Sequence, residues 1–380
     1  MTATDIDRDE QIYWLALRLL PGLGTRKAGQ LIEHFDSARK VFRASVEELE
    51  YFGLPSAVAN SIAGGCTFDD AVTQQHKMLA TGTRLVALGD PFYPKRLRMV
   101  YDPPPVLFAR GRLDLLHTVS IGVVGTRRPS AYGTAACDHL SRDLALAGLT
   151  IASGMARGID TAAHRAALDV TGNTIAVLGC GVDLVYPAEN RKLAEEIASK
   201  GLLLSEFPMG TPAYPQNFPI RNRIVSGLSA GILVVEGARY SGSAITARLA
   251  IEQGRELFAV PGNITNKMSW GPNLLIKEGA KLVQEAEDIL SELCPADRRA
   301  LHESKHSPAT PHQATLAPEL DSPAARDLLA SLRVDDPADI DTLIENLPQY
   351  STSELIAALF ELEMMGLVRQ LAGKKYIKVW

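Results

Sequence analysis

Residues 119–160 read VSIGVVGTRRPSAYGTAACDHLSRDLALAGLTIASGMARGID, and their pattern indicates the class of fold. A short β-branched run at Val119–Val124 precedes a helical stretch at Gly133–Ala147, and a second apolar run follows at Thr150–Ser153. Apolar runs without polar alternation are typical of strands that a parallel sheet buries on both faces. Each run ends in a loop that contains glycine, and ligands bind at the carboxyl ends of such strands.

The same alternation of strands and helices continues through the next 120 or so residues. Further strand-like runs lie at Thr174–Leu178, Leu202–Ser205, Gly231–Val235, Leu257–Val260 and Lys281–Val283. The helical stretches between them include Thr161–Val170, Asn190–Ser199 and Ala244–Gln253. This rhythm predicts an α/β fold, an extended Rossmann-like parallel sheet with helices on both faces. Two earlier runs, Arg84–Leu88 and Val106–Ala109, are flanked by prolines, so we expect them at a sheet edge.

The rest of the chain divides around this sheet. Residues 1–75 read as short helices, and their turn at Leu20–Gly24 resembles a helix-hairpin-helix, which either binds a phosphate or only joins packed helices. Residues 76–294 form the predicted Rossmann domain. Residues 295–325 are rich in Pro, Ser, Thr, His and Ala and predict a flexible linker. Residues 326–380 follow a helix–turn–helix–hairpin order that predicts a winged-helix domain, with Ser351 and Glu354 as a capping box.

Composition limits the class of protein. The 380 residues carry a formal net charge of -5, so a nucleic-acid ligand would need a local basic site. The four cysteines lack the spacing of a zinc site or a redox pair, which favours reduced thiols in a cytoplasmic protein. Residues 1–10 do not resemble a secretory signal, and no apolar run is long enough for a bilayer, so we expect no membrane partner.

Five segments after predicted strands carry the candidate chemistry. They are Gly125-Thr126-Arg127-Arg128, Ser153-Gly154-Met155 with Arg157, Gly179-Cys180-Gly181, Phe218 with Arg221-Asn222-Arg223, and Ser241-Gly242-Ser243. Because parallel strands end at one edge, we expect these segments to converge. Glycine permits close backbone approach, arginine clamps phosphate, and the helix starting near Gly133 offers its N-terminus to an anion. Each segment alone fits ordinary turn chemistry, but together their arginines predict an anion site.

The motifs of nucleotide cofactors and common catalytic centres are absent from the sequence. It contains no P-loop, and Gly122 and Gly125 have the wrong spacing for a dinucleotide fingerprint, so no cofactor is expected. No metal-ligand cluster or nucleophile elbow occurs, and His164 reads as a structural residue within a helix. Four acids are expected to cap helices or orient arginines: Asp160, Asp183, Glu206 and Glu236. A binding protein is therefore favoured over an enzyme.

The order of these motifs resembles the DNA-processing protein A (DprA/Smf) family of bacterial transformation and recombination. The resemblance runs from about residue 11 to 290 and rests on Val124–Arg127, Ser153–Asp160, Phe218–Ile224, Ser241–Ser243 and Ala259–Gly262. It implies a SAM-like N-terminal domain, a Rossmann domain that binds single-stranded DNA, and a winged helix. It implies a homodimer that protects incoming single strands and loads a RecA-type recombinase, with single-strand binding protein as a further partner.

The resemblance also implies roles for individual residues. In this family a Gly-Ser/Thr-Arg loop holds a phosphate, here Gly125-Thr126-Arg127, while an aromatic residue, here Phe218, packs on a base beside Arg221 and Arg223. It points to the end of the Rossmann domain as a dimer interface, where the apolar residues are Leu275, Ile276 and Leu282.

Two features limit these roles. The predicted helix Thr352–Met365 carries Glu354, Glu361 and Glu363 but no lysine or arginine, which favours a protein contact over duplex reading. A phosphoribohydrolase-like enzyme or a nucleotide sensor would use the same loops on a mononucleotide. The P-G-G-x-G-T-x-x-E pattern of the former is absent, because Pro261-Gly262 continues differently.

Overall fold

A computed structural model describes residues 7–239, 241–305, 322–333, 337–371 and 375–378. Its helices are α1 (Arg8–Leu19), α2 (Thr25–Phe35), α3 (Ala38–Val41), α4 (Val46–Tyr51), α5 (Ser56–Ala63), α6 (Phe68–Thr81), α7 (Lys95–Arg98), α8 (Ala131–Leu146), α9 (Ile159–Val170), α10 (Arg191–Lys200), α11 (Asn217–Leu228), α12 (Gly242–Glu252), α13 (Trp270–Lys277), α14 (Ala286–Leu290), α15 (Pro295–Lys305), α16 (Pro323–Ser331), α17 (Ile340–Asn346) and α18 (Thr352–Met364). Its strands are β1 (Arg84–Ala87), β2 (Val106–Gly111), β3 (Ser120–Val124), β4 (Thr150–Ser153), β5 (Thr174–Val177), β6 (Leu202–Ser205), β7 (Gly231–Val234), β8 (Glu256–Ala259), β9 (Lys281–Leu282), β10 (Ala338–Asp339), β11 (Val368–Leu371) and β12 (Lys375–Lys378). In the described ranges, no helix combines the length and apolar character that crossing a bilayer requires.

A sheet of nine strands, in the order β1-β2-β6-β5-β4-β3-β7-β8-β9, forms the centre of the fold. The strands from β6 to β9 in that order are parallel, whereas β1 and β2 are antiparallel and lie at one edge. This confirms the predicted α/β Rossmann-like fold and the edge position of the two proline-flanked strands. From β3, the strands β4, β5 and β6 follow in order toward one edge of the sheet, and β7, β8 and β9 follow in order toward the other. The strand order therefore reverses next to β3, between β3 and β7.

Buried apolar residues cover both faces of the sheet, as its near-continuous apolar strands require. All five residues of β3 are buried. On one face, α8 and α9 pack against β3 and β4. On the other face, Leu15 of α1 and Leu31 of α2 share a hydrophobic cluster with Phe108 of β2. The N-terminal helices therefore pack directly onto the edge of the sheet.

The boundary predicted at residue 75 falls inside α6. This helix is continuous because Ala71, Gln75 and Met78 form a buried face. The side chain of Gln75 also donates to the carbonyl oxygen of Arg8 (2.8 Å), which ties α6 to the beginning of α1. The helix therefore packs with the N-terminal helices beyond residue 75, and its Gln74 also exchanges two hydrogen bonds with Met209 of the Rossmann part.

The C-terminal residues fold around a core of their own, with α16, α17 and α18 beside a three-stranded sheet in the order β10-β12-β11. This arrangement confirms the predicted winged helix. The capping box is present: the N–H of Glu354 donates to Ser351 Oγ, and the N–H of Ser351 donates to the Glu354 carboxylate.

The predicted linker over 295–325 is wrong at both of its described ends, which are helical. Helix α15 begins at Pro295 and is held by buried Leu301 and by an ion pair between Asp297 and Arg96. Helix α16 begins at Pro323, with Ser322 Oγ accepting from the N–H of Ala325 (3.3 Å). Composition concealed α15 because a single leucine and one ion pair anchor it, so no apolar stripe was visible. Residues 306–321 of the predicted linker lie outside the described residues.

Candidate functional site

A cavity of about 560 Å³ opens at the carboxyl ends of the strands around the switch point. Its volume lies within the range of roughly 300–1,000 Å³ typical of ligand sites. The cavity wall brings together many of the residues selected from the sequence, namely Gly125, Thr126, Arg127, Gly154, Phe218, Arg221, Asn222, Ser241, Gly242 and Ser243. We refer to it below as the first cavity.

Hydrogen bonds to Glu236 hold the loop after β3 in place. The N–H of Thr126 donates to the carbonyl oxygen of Glu236 (2.7 Å), and Ser130 donates to its carboxylate through N–H (2.9 Å) and Oγ (2.6 Å). A Cβ added at Gly133 would lie 2.2 Å from Glu236 Oε2, so glycine is required there. The Glu236 carboxylate therefore takes the place at the N-terminus of α8 that the sequence suggested for a phosphate.

The three arginines of the first two loops differ in position. Arg127 is exposed, lines the first cavity and places its guanidinium 5.9 Å from the ring centroid of Phe218. Arg128 is exposed and lies outside the lining. Arg157 is ion-paired with Glu189 and lines a small recess that extends the first cavity beside Phe218.

The segment with Phe218 and the paired arginines is helical, whereas the sequence suggested a loop. It forms the start of α11, and Pro219 occupies the first turn, where proline is tolerated because its missing N–H would have no helical partner. Successive residues of a helix point in different directions. Arg221 and Asn222 therefore line the first cavity, whereas Arg223 does not.

Arg221 is a buried cation in the cavity wall. Its Nη1 donates to the carbonyl oxygen of Val177 (3.0 Å) at the end of β5. The side chain passes so close to Gly154 that an added Cβ there would lie 1.7 Å from Nη1. The carboxylate of Asp160 accepts from the N–H groups of Gly154 (3.1 Å) and Ala156 (3.2 Å). Burial raises the pKa of Asp160, while the nearby positive charge of Arg221 opposes this shift.

Arg223 belongs to a different environment, so its expected role as a phosphate clamp is not supported. It is buried, and its guanidinium pairs with Glu206 (2.5 Å) and Asp102 (3.1 Å). Arg18 of α1 donates from Nε to the carbonyl oxygen of Glu206 (3.2 Å). These four residues, which we call the ionic cluster, join α1 and α11 on the side of α11 away from the first cavity.

Two of the selected residues shape the second loop from inside the protein. Ser153 is buried, and its Oγ donates to the carbonyl oxygen of Val123 (2.6 Å). Met155 is also buried and has a left-handed backbone, with φ of 61°. Neither residue lines the first cavity, so their side chains are unavailable to a ligand there.

An aromatic pair forms one side of the first cavity. Phe218 is half-buried, and its ring lies 5.5 Å from that of Tyr186 at an angle of 46°. Behind Phe218, a Cβ at Gly179 would lie 3.0 Å from the ring, so glycine permits this packing. Tyr186 was not selected as a site residue, although the Tyr186-Pro187 pair after β5 was a visible signal.

The first turn of α12 forms another part of the cavity wall, and no side chain caps it. The N–H of Ala244 donates to the carbonyl oxygen of Ser241 (3.1 Å), whereas within the described residues the N–H groups of Gly242 and Ser243 have no acceptor and Ser241 provides no side-chain cap. Ser241 Oγ instead lies 2.7 Å from Ser243 Oγ. Since an 11-residue helix concentrates partial positive charge at its N-terminus, this turn can receive an anion.

Two buried titratable groups near these loops, His164 and Cys180, are uncharged at neutral pH. Burial lowers the pKa of His164 to about 3, and its Nδ1 lies 2.7 Å from Thr174 Oγ1. Burial raises the pKa of Cys180 to about 11, which keeps the thiol protonated. Among the described residues, no group of acidic, histidine or cysteine side chains could hold a metal ion.

Comparison with known proteins agrees with this architecture. The chain is 43% identical over 292 residues to protein Smf of Escherichia coli, covering 76% of each chain. It is 46% identical over 213 residues to DNA processing protein DprA of Bacillus subtilis, covering 56% of this chain and 72% of the relative.

Two solved structures resemble the fold. DNA processing protein A of Streptococcus pneumoniae superposes with a TM-score of 0.67 at 36% identity, covering 77% of this chain and 99% of that one. DNA processing protein A of Helicobacter pylori, whose structure concerns single-stranded DNA binding by that protein, gives a TM-score of 0.51 at 32% identity over 55% and 97% of the two chains.

The family comparison covers both large parts of the chain. Residues 84–294 match the family DNA recombination-mediator protein A, and residues 308–374 match the DprA winged helix domain. The chain therefore belongs to the DNA recombination-mediator protein A (DprA/Smf) family.

Proposed function

We propose that this chain binds single-stranded DNA in the first cavity and acts as a cytoplasmic recombination mediator rather than as an enzyme. One observation carries the proposal: Arg127, the Phe218 ring and the N-terminal turn of α12 line one cavity. Single-stranded DNA offers phosphates to the cation and the helix end, and an unstacked base to the aromatic ring. Proteins that bind single strands use this combination of basic and aromatic groups.

The electrostatic setting favours a site of this local kind. The chain has a formal net charge of -5, so no general positive field attracts DNA. Direct contacts must therefore provide the affinity. Arg221 lies buried in the cavity wall beside Asp160, and Arg157 is paired with Glu189. The positive charge at this edge is therefore carried mainly by the exposed Arg127 and Arg128. We assign the phosphate contacts to Gly125, Thr126, Arg127 and the α12 turn, and the base contact to Phe218.

A titration against two ligands separates this function from a nucleotide enzyme or sensor. Fluorescently labelled oligo-dT and AMP are each titrated against the purified protein at the same ionic strength. We expect oligo-dT to bind and AMP to compete only weakly, because AMP offers one phosphate and one base to a site built for a strand. Tight AMP binding that oligo-dT fails to displace would favour the sensor, and AMP hydrolysis would favour the enzyme.

In the proposed biological role, the bound strand is protected during natural transformation and passed to a RecA-type recombinase, with displacement of single-strand binding protein. The winged helix is proposed to contact protein. Its helix α18 exposes Ile356, Phe360 and Met364 beside glutamates. Such a surface does not suit the phosphates of duplex DNA. The hairpin of the winged helix carries Lys375 and Lys378, and a third lysine, Lys374, lies outside the described residues.

The proposed homodimer uses the edge of the sheet formed by α13 and β9. Leu275 and Ile276 of α13 are only partly buried, and Leu282 of β9 is 39% exposed. Strand β9 pairs with β8 alone, so its other edge is open within the described residues. Native proteins protect such edges, and a second copy would do so.

Ile276→Glu should therefore give monomers that keep the fold. A buried unpaired carboxylate is costly in an interface but is solvated in the monomer. Sedimentation velocity measures the mass and circular dichroism checks the fold, with exposed Lys277→Glu as the neighbouring control. A folded Ile276→Glu dimer would place the interface elsewhere.

A further inference from the structure

A second cavity, of about 510 Å³, adjoins the first one. Tyr186 and Ala213 belong to the walls of both. The two spaces are therefore separated by a tyrosine ring and a short backbone segment. Tyr186 is 47% exposed and packs against Phe218, so a strand with a base on Phe218 has Tyr186 as its next aromatic surface.

Two arginines line the second cavity. Arg110 lies in β2, and Arg191 is the first residue of α10. In the part of the chain that the structure describes, neither guanidinium makes a hydrogen bond or an ion pair. A free guanidinium in a concave wall is well suited to phosphate, because it is weakly hydrated and presents parallel N–H donors.

The acids of the same wall do not pair with these arginines. Asp183 accepts from the N–H of Gly210 (2.9 Å) and so holds the loop after β6. Glu195 lies one turn after Arg191 on α10, and no ion pair joins the two within the described residues. The wall carries two carboxylates, Asp183 and Glu195, and two guanidiniums, so its net charge is close to zero. It therefore suits a ligand whose phosphates are separated by apolar groups, as in a DNA strand. A compact polyanion would be repelled by the two carboxylates.

We propose that the DNA strand continues from the first cavity over Tyr186 into the second, where Arg110 and Arg191 bind further phosphates. The inference rests on the proposed single-strand function and extends it by a subsite. The bound DNA would run from the carboxyl end of β7, past the end of β5, to the sheet face that β2 and β6 form. Leu184, which is 38% exposed, provides an apolar surface there for a sugar or a base.

The experiment compares two lengths of strand in variants of the full chain. Equilibrium binding of oligo-dT of about 4 and about 16 nucleotides, the span of site sizes for single-strand binding folds, is measured against salt concentration. The variants are Arg191→Gln and Arg110→Gln. The control is Lys192→Gln, which removes one exposed positive charge beside Arg191 but does not line either cavity.

Each arginine variant should flatten the salt slope by about 0.7 with the long strand, because one phosphate contact in a single strand contributes about that much. The short strand fills the first cavity and should be unaffected. Lys192→Gln should match the wild type at both lengths. If both arginine variants match Lys192→Gln with the long strand while Arg127→Ala weakens both lengths, the strand ends in the first cavity and the inference fails. If the wild type binds neither strand, the proposed function itself fails.

Discussion

Glu206→Ala is expected to lower the free energy of unfolding by about 3–5 kcal/mol, the cost of removing one partner from a buried ion pair. Glu206 is 1% exposed and pairs with Arg223, which is 6% exposed. Burial raises the pKa of Glu206 despite the neighbouring Arg223 and Arg18. Without the carboxylate, two buried or nearly buried cations would face each other with only Asp102 in support.

Chemical denaturation measures this loss, and Glu189→Ala is the matched control. Glu189 is also the partner of an arginine, Arg157, but both side chains are 60% exposed, so little stability should be lost. The double variant Glu206→Leu with Arg223→Met should recover most of the stability, since it removes both buried charges. Equal losses in Glu206→Ala and Glu189→Ala would show that the ionic cluster does not stabilise the fold.

Phe218→Ala should weaken oligo-dT binding by about 1–3 kcal/mol, or roughly 5- to 150-fold in Kd, because it removes a surface on which a base stacks. The ring is half-buried, with one side packed against Tyr186 and Gly179 and the rest in the first cavity. The salt slope should not change, since no charge is lost.

The control for this variant is Tyr214→Ala, which removes a ring that is 49% exposed and lines neither cavity. Melting temperatures separate packing from binding. A large fall in Tm for Phe218→Ala, with normal affinity below the transition, would mean that Phe218 is a core residue and does not contact DNA.

The strands and most helices could be predicted because burial on both faces of a parallel sheet imposes short apolar runs. The predicted Thr150–Ser153 and Leu202–Ser205 agree with β4 and β6 to the residue. Helix α11 was missed because Pro219 and two arginines look like a loop, although proline is compatible with a first helical turn. Helix α15 was missed because one long-range ion pair anchors it.

The sequence predicted which segments form the site, but not which of their side chains point into it. The strand ends had to converge, so the position of the first cavity followed from the motifs. Which arginine faces it depends on the rotation of α11: Arg221 lines the cavity, and Arg223 joins the ionic cluster. The sequence predicted that Glu236 caps a helix or orients an arginine, but it did not identify α8, because the contacts of Glu236 with Thr126 and Ser130 cross more than a hundred residues of sequence.

If a DNA strand crosses the loop that begins at Gly125, Arg127→Ala will change the salt dependence of oligo-dT binding. Each phosphate contact in a single strand steepens the plot of log K against log salt by about 0.7, so removing Arg127 should flatten it by about that amount and weaken all sequences alike. Arg127→Lys should recover only part of the loss, because an ammonium cannot form two parallel hydrogen bonds. As a control, Arg142→Ala removes a partly exposed arginine of α8 that lines neither cavity, and it should keep the wild-type slope. Wild-type affinity and slope in Arg127→Ala would contradict the account, because the strand would then not pass over the Gly125 loop.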